Sequence, residues 1–273
     1  MITLLPGTVI SNKELCNIFK CSHQGGMRRS HKMNCLVLVS DYTKGIYEDR
    51  WTKDGIFLYT GMGLKGNQSL DFMQNKTLAE SPKKNIDLYL FEVFSPGQYQ
   101  LQGKVYLASN PYQENQYDMD NHIRSVWIFP LRLLERKEPL AIPEETYSVN
   151  KKRKEKNARM LSFQALKQRL ENYNPEPSMR IIQSTQLDRN PHISEYAKMR
   201  ANGSCELCNK NAPFNDSNGI PFLETHHIKW LSQGGLDSIE NTVALCPNCH
   251  RKMHILNHRS DIDKLNNINK NLS

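Results

Sequence analysis

Cys205-Glu-Leu-Cys208, then Glu224-Thr-His226-His227-Ile228, Asn241 and Cys246-Pro-Asn-Cys249-His250-Arg-Lys-Met-His254 decide the fold of the C-terminal part of this chain. The two C-x-x-C pairs are separated by 37 residues. Four thiolates from two such knuckles complete a tetrahedral shell, so Cys205, Cys208, Cys246 and Cys249 are expected to hold one structural Zn²⁺. The clamp joins both ends of the intervening segment, which a small unit without a large core needs. Inside it, Pro221–Ile228 reads as a strand ending in adjacent histidines, Ser232–Gly235 as a turn and Thr242–Leu245 as a second strand. Pro247 to about His258 reads as a helix opened by Pro247 and Asn248. His250 and His254, four apart, share one face of it. His226 or His227 from the hairpin can meet them in a second, open metal site. The plainer alternative makes the four histidines zinc ligands or surface residues, but the cysteines already fill a zinc shell.

Upstream the pattern changes. Leu36–Val39, Ile56–Tyr59, Leu88–Phe94 and Val126–Phe129 are short and β-rich, with Gly61, Gly63, Gly66, Gly97 and Gly103 punctuating turns. That pattern suits a twisted or barrel-like sheet, closed by Pro130 and the stretch 131–136. Residues 137–157, with Pro139, Pro143 and the run Lys151-Lys152-Arg153-Lys154-Glu155-Lys156, read as a solvated linker. The run is either plain surface or a phosphate contact. Ala158–Tyr173 has helical spacing, with Leu161, Ala165, Leu166 and Leu170 on one face, and Asn174-Pro175-Glu176-Pro177 ends it. His192–Ala201 is a further helix. Three segments follow: 1–136, a linker with one helix at 137–190, and 191–273.

The 273 residues carry 36 Lys and Arg against 28 Asp and Glu, a formal charge of +8. Such an excess fits a polyanionic partner, commonly nucleic acid, though a basic enzyme of another kind would share it. No apolar run is long enough for a membrane span. MITLLPGTVISNKEL lacks a basic region before its apolar stretch and does not read as a signal peptide, so a cytoplasmic protein is expected. Seven cysteines without an export signal argue against a disulfide framework. Cys16, Cys21 and Cys35, near His23 and His31 without regular spacing, read as reduced thiols rather than a metal site.

The string Cys205…Cys208…His226-His227-Ile228…Gly234-Gly235…Asn241…Cys246-Pro-Asn-Cys249-His250…His254 resembles the zinc-stapled HNH nucleases of ββα-metal fold, especially the McrA-like modification-dependent restriction enzymes. The resemblance implies His227 as the general base, His226 and His250 as ligands of a catalytic ion, and His254 as a third. It implies that Asn241 holds the hairpin loop and orients His227 by a hydrogen bond. Imidazole ligands admit Mg²⁺, Mn²⁺, Co²⁺ or Ni²⁺.

Gly7–Leu133 is similar to the SRA (YDG) domain, which flips 5-methylcytosine out of the duplex. The likeness rests on Gly25-Gly26-Met27, Tyr47-Glu48-Asp49, Tyr59-Thr60-Gly61-Met62-Gly63, Gly66-x-Gln68, Asn75-x-x-Leu78-x-x-Ser81 and Tyr99…Gly103. It departs from the family's better-known members around Tyr42–Asp54. A flipped base needs aromatic faces and partners for its Watson–Crick edge. Tyr47 and Tyr59 are candidate stackers, Asp49 would accept from the cytosine amino group, and Thr60 and the backbone near Gly26 would line the rest. The tyrosines also suit plain sheet packing.

The expected protein is therefore α+β: an SRA-like twisted barrel, a basic helical linker and a zinc-stapled HNH unit. The expected partner is double-stranded DNA carrying 5-methylcytosine or a related modified cytosine. One HNH unit nicks one strand, so a homodimer is expected for double-strand cleavage. Two rivals stand: an HNH nuclease for unmodified DNA, of homing or phage type, and a non-catalytic reader of modified DNA.

Overall fold

The structure, a computed structural model, describes residues 4–45, 47–118, 120, 122–171 and 175–270. The chain divides into two compact units between Ser184 and Thr185. The first begins β1 (Val9–Ile10), α1 (Asn12–Phe19), β2 (Met27–Ser30), β3 (Cys35–Asp41), β4 (Arg50–Trp51), β5 (Ile56–Thr60) and α2 (Gln74–Ala79). It continues through β6 (Asp87–Ser95), β7 (Gln98–Leu107), β8 (Tyr112–Tyr117), β9 (Ile123–Leu133), β10 (Ile142–Pro143), α3 (Glu144–Arg159), α4 (Phe163–Glu171) and β11 (Ile182–Gln183). The second holds α5 (Pro191–Ala201), β12 (Glu224–His227), β13 (Thr242–Leu245), α6 (Pro247–Leu256) and α7 (Arg259–Lys270).

One mixed sheet of nine strands organises the first unit, in the order β2-β3-β6-β7-β9-β5-β4, with β1 on β7 and β8 on β9. Within this sheet only β3 and β6 pair in parallel. The two ends of the path do not pair, so the sheet is open rather than a closed barrel. Its end strands are four and two residues long, too short to offer each other a closing ladder. β3 and β6 are apolar at nearly every position because both their faces are covered. Leu36, Leu38, Leu88 and Leu90 meet Phe57, Phe129 and Leu78 of α2 on one side. Val37, Val39, Tyr89 and Phe91 meet Leu15 and Phe19 of α1 on the other. Ser11 starts α1 with a capping box: its hydroxyl accepts the Glu14 N–H, and Glu14 accepts the Ser11 N–H at 2.8 Å.

The stretch expected to be a linker with one helix is more ordered than that. Residues 144–159 form α3, and the expected helix over 158–173 is broken at Met160–Ser162 before α4 begins; Tyr173 and Asn174 lie outside the described residues. Glu144 and Glu145 in the first turn of α3 and Lys156 and Arg159 in the last complement the helix dipole. No residue of α3 is buried, so it carries no apolar stripe from which to read it.

Beyond α4 the chain returns to the sheet. Met179 N–H donates to the Trp51 carbonyl at 2.8 Å, and β11 pairs with β10 in parallel. Arg180 makes two 3.0 Å bonds to the fully buried Glu92 and donates to Tyr42 Oη at 2.9 Å. Tyr42 and Trp51 also donate to Glu92, at 2.8 and 3.1 Å. A carboxylate buried in a sheet needs this full set of partners.

The second unit packs α5, the β12–β13 hairpin, α6 and α7 around Ala197, Leu223, Val243, Leu245, Met253 and Leu265. Asn190 caps α5 through the His192 N–H and Pro191 occupies its first turn. Among the described residues no helix is long and apolar enough to cross a membrane.

Candidate functional site

The four expected zinc cysteines converge, with every sulfur within 4.8 Å of the others. Cys208 and Cys246 Sγ stand 4.0 Å apart, close to the ~3.8 Å edge of a tetrahedron with ~2.3 Å Zn–S bonds. The donors fit zinc. Glu206, between the first two cysteines, fastens this knuckle to its surroundings. It takes 2.8 and 3.0 Å bonds from Arg200 of α5 and a 2.7 Å bond from the Ala244 N–H of β13. Cys16, Cys21 and Cys35 form no such group among the described residues.

A second cluster lies on β12 and α6. The candidate ligand atoms of His226, His250 and His254 also fall within 4.8 Å of one another, and the Nε2 atoms of His250 and His254 are 3.1 Å apart. Glu224, two residues before His226, takes the His250 Nδ1 at 2.6 Å, which leaves Nε2 as the lone pair that points at its neighbours. His226 is 2% exposed, and its Nε2 is buried with no hydrogen-bond partner. Burial first, then the charges of His254, His250, His227 and Arg189, hold His226 down to about 4. It is therefore neutral at pH 7. Three converging imidazoles, one of them with a buried and unpartnered nitrogen, fit a divalent cation.

His227 sits beside this cluster, its Nε2 2.8 Å from Asp237 Oδ1. The other oxygen of Asp237 accepts the Asn190 N–H at 2.7 Å. The bonds from Asn190 and His227, in that order, keep the Asp237 carboxyl below its ordinary range. The expected bond from Asn241 to His227 is absent. Asn241 instead accepts the Lys229 N–H at 2.8 Å and donates to the Lys229 and Leu236 carbonyls at 2.9 and 2.7 Å. It holds the 229–236 loop, while the His227 ring is held by Asp237. Neither Asp237 nor the role of Glu224 was legible beforehand; an acidic residue just after Gly234-Gly235 reads as turn chemistry.

In the first unit a cavity of about 830 Å³ gathers all five expected pocket residues, Gly26, Tyr47, Asp49, Tyr59 and Thr60, and adds Ser40, Tyr42 and Tyr99. Leu64, Phe72 and Met73 stand at its wall, roughly half or more exposed. Tyr59 belongs to the apolar core as well, and its hydroxyl donates to the Gly26 carbonyl at 2.8 Å. Tyr47 Oη lies 3.4 Å from the Gly63 carbonyl. Asp49 is buried and accepts the Thr60 N–H at 2.8 Å. Burial pushes its carboxyl up to about 6, against the Thr60 N–H and the Ser40 and Thr60 hydroxyls, which lower it.

The cavity-bearing sheet of the first unit and the cysteine and histidine clusters of the second each fall within a known family, SRA and HNH respectively. Residues 6–154 match the family described as ScoMcrA-like, SRA domain; this is more than half of the sequence, and the chain belongs to that family. Residues 205–255 match the HNH endonuclease family, so the second unit carries an HNH endonuclease domain. The chain is 39% identical over 101 residues to the Type IV methyl-directed restriction enzyme EcoKMcrA of Escherichia coli (strain K12), a match covering 36% of each protein. It thus spans about a third of that relative's length. Among solved structures, the Type IV phosphorothioation-dependent restriction endonuclease ScoMcrA aligns at 19% identity and TM-score 0.41, over 98% of this chain and 63% of that one. The modification-dependent TagI restriction endonuclease aligns at 17% identity and TM-score 0.37, over 93% and 79%.

Proposed function

We propose that this protein is a modification-dependent restriction endonuclease. The first unit takes a modified cytosine, 5-methylcytosine or a close relative, out of duplex DNA into its cavity; the second hydrolyses the phosphodiester backbone at a single-ion histidine centre. The observation that carries the reading is the orphaned Nε2 of His226 between His250 and His254, beside a histidine held by a carboxylate.

His226, His250 and His254 would hold Mg²⁺, Mn²⁺, Co²⁺ or Ni²⁺. When bound, such an ion supplies Lewis-acid stabilisation of the scissile phosphate and its leaving 3′-oxygen. His227 donates its Nε2 proton to Asp237 and so keeps Nδ1 free to take the proton of the attacking water. Asn241 keeps the loop in place above it. In the cavity, Tyr47 and Tyr59 offer aromatic walls, and ionised Asp49 accepts from the cytosine amino group, which thymine lacks. The four cysteines would hold Zn²⁺. The same reading puts the protein in the cytoplasm with its DNA substrate and makes it a homodimer when it cuts both strands.

The test is a digest of two matched plasmids, one cytosine-methylated and one not, with Mg²⁺ and with Mn²⁺. Cleavage of the methylated plasmid alone is expected. Equal cleavage of both would leave an HNH nuclease for unmodified DNA. Tight binding of the methylated plasmid without cleavage under either ion would leave a non-catalytic reader.

A further inference from the structure

The basic run that reads as a linker is the second half of a helix, and that helix packs against β10 and β11. Between positions 151 and 159 lie six Lys and Arg and one Glu. Among the described residues, the one ion pair on this stretch is Glu155–Arg159 at 3.9 Å. Thr146, Asn150 and Arg153 form the half-buried inner side of α3, while Lys151, Lys152, Lys154, Lys156 and Arg159 are exposed. Clustered like charges repel one another and raise a local positive potential, which favours an anionic surface brought against them.

Its placement supplies the second half of the argument. α3 follows directly on β10, which is paired with β11. Just before β11, Arg180 is bonded to Glu92 and to Tyr42, a residue of the cavity wall. Lys154, although exposed at the surface, is held below the ordinary lysine range by desolvation first and then by the nearby Arg180, with Glu48 opposing, and Glu48 stands between the cavity residues Tyr47 and Asp49. A duplex that delivers a base to this cavity carries its neighbouring phosphates past the same edge.

We infer that the exposed face of α3 is a phosphate-binding ridge for the duplex whose base enters the adjoining cavity. The ridge supplies affinity without sequence or modification preference, because phosphates position a protein and carry no base identity. The stretch that reads as a linker is in this sense part of the reader. This inference rests on the modified-DNA reading of the first unit.

The experiment uses the full chain with Lys151, Lys152, Lys154 and Lys156 all changed to Gln. Binding to methylated and unmethylated duplexes is measured across 50–300 mM salt without a divalent ion. Each phosphate contact contributes about 0.9 to the slope of log affinity against log salt. The Gln variant is expected to lose roughly 2–3 from that slope and about tenfold in affinity on both duplexes, with their ratio unchanged. The matching four-fold Lys→Arg variant is expected to keep the slope. Asp49→Ala is expected to change the ratio and leave the slope alone. A Gln variant whose slope stays within about 0.5 of the original overturns the ridge while leaving the reader intact. A slope lost in the Arg variant as well overturns it too, since the helix would then act by its shape. An unsubstituted protein that binds both duplexes equally overturns the modified-DNA reading, and the ridge with it.

Discussion

His227 Nε2 lies 2.8 Å from Asp237; the proposed role of His227, with Nδ1 as the nitrogen that receives a proton, is tested by two substitutions. His227→Ala is expected to slow single-turnover cleavage by ~10²–10⁴-fold while zinc content and DNA binding stay unchanged; a rate within twofold of the parent rejects the assignment. Asp237→Ala is expected to cost roughly 10–100-fold in kcat with little change in KM, the usual effect of losing a partner that orients a functional histidine. Asp49 gives a pH test. Its carboxyl is raised to about 6, mainly by burial, so the folded state favours the protonated form. That preference stabilises the unit below the usual carboxylate range and is lost as pH climbs through about 6. Recognition of a cytosine amino group needs the opposite, ionised form. Preference for methylated over unmodified DNA is therefore expected to be stronger at pH 7.5 than at pH 5, and Asp49→Asn should flatten the dependence; a ratio constant from pH 5 to 8 counts against Asp49 as the acceptor. Cysteine and histidine were legible because few residue types can ligate a metal and their spacing is demanding. Asp237 was not, because a carboxylate serves many turns and only the fold brings it to His227.

The helices and strands divide along similar lines. β3, β6 and the β12–β13 hairpin were legible from runs of apolar and β-branched residues, and α6 from Pro247 and the paired histidines. α3 was hidden because it buries nothing, whereas α4 was legible in the spacing of Ala165, Leu166 and Leu170, with only its start set too early. α7 was missed outright, although Leu265 within it is fully buried. The two knuckles that bracket the hairpin have a measurable weight. Structural zinc contributes ~10–16 kcal/mol in small zinc-dependent folds, more than a unit of this size can lose. Cys208→Ser or Cys249→Ser is expected to release about one equivalent of zinc and to abolish the cooperative melting of residues 185–273. Elemental analysis that finds no zinc in the parent protein would refute the clamp.

For the whole molecule, the division at Ser184 sets where the chain can be cut. A fragment ending at Ser184 keeps Arg180 against Glu92 and is expected to bind methylated duplex more tightly than unmethylated. A fragment beginning at Thr185 is expected to nick DNA with a divalent ion and show no preference for methylation. If the first binds both duplexes equally, base recognition does not reside there. With one nuclease centre per chain, nicking of supercoiled plasmid should rise in proportion to protein, whereas double-strand breaks should rise more steeply; linear product that tracks protein in simple proportion argues against paired protomers. The Glu92–Arg180 pair also bears on biosynthesis. The two residues are 88 positions apart, so the ribosome must add most of another domain's length before the buried carboxylate meets its cation. Until then the half-made sheet holds an uncompensated charge, costly to bury, and is open to chaperones and proteases. The reader therefore matures late, but residues 185–273 emerge later still. On the proposed reading, the cell meets no folded nuclease before the part that selects its DNA can be complete.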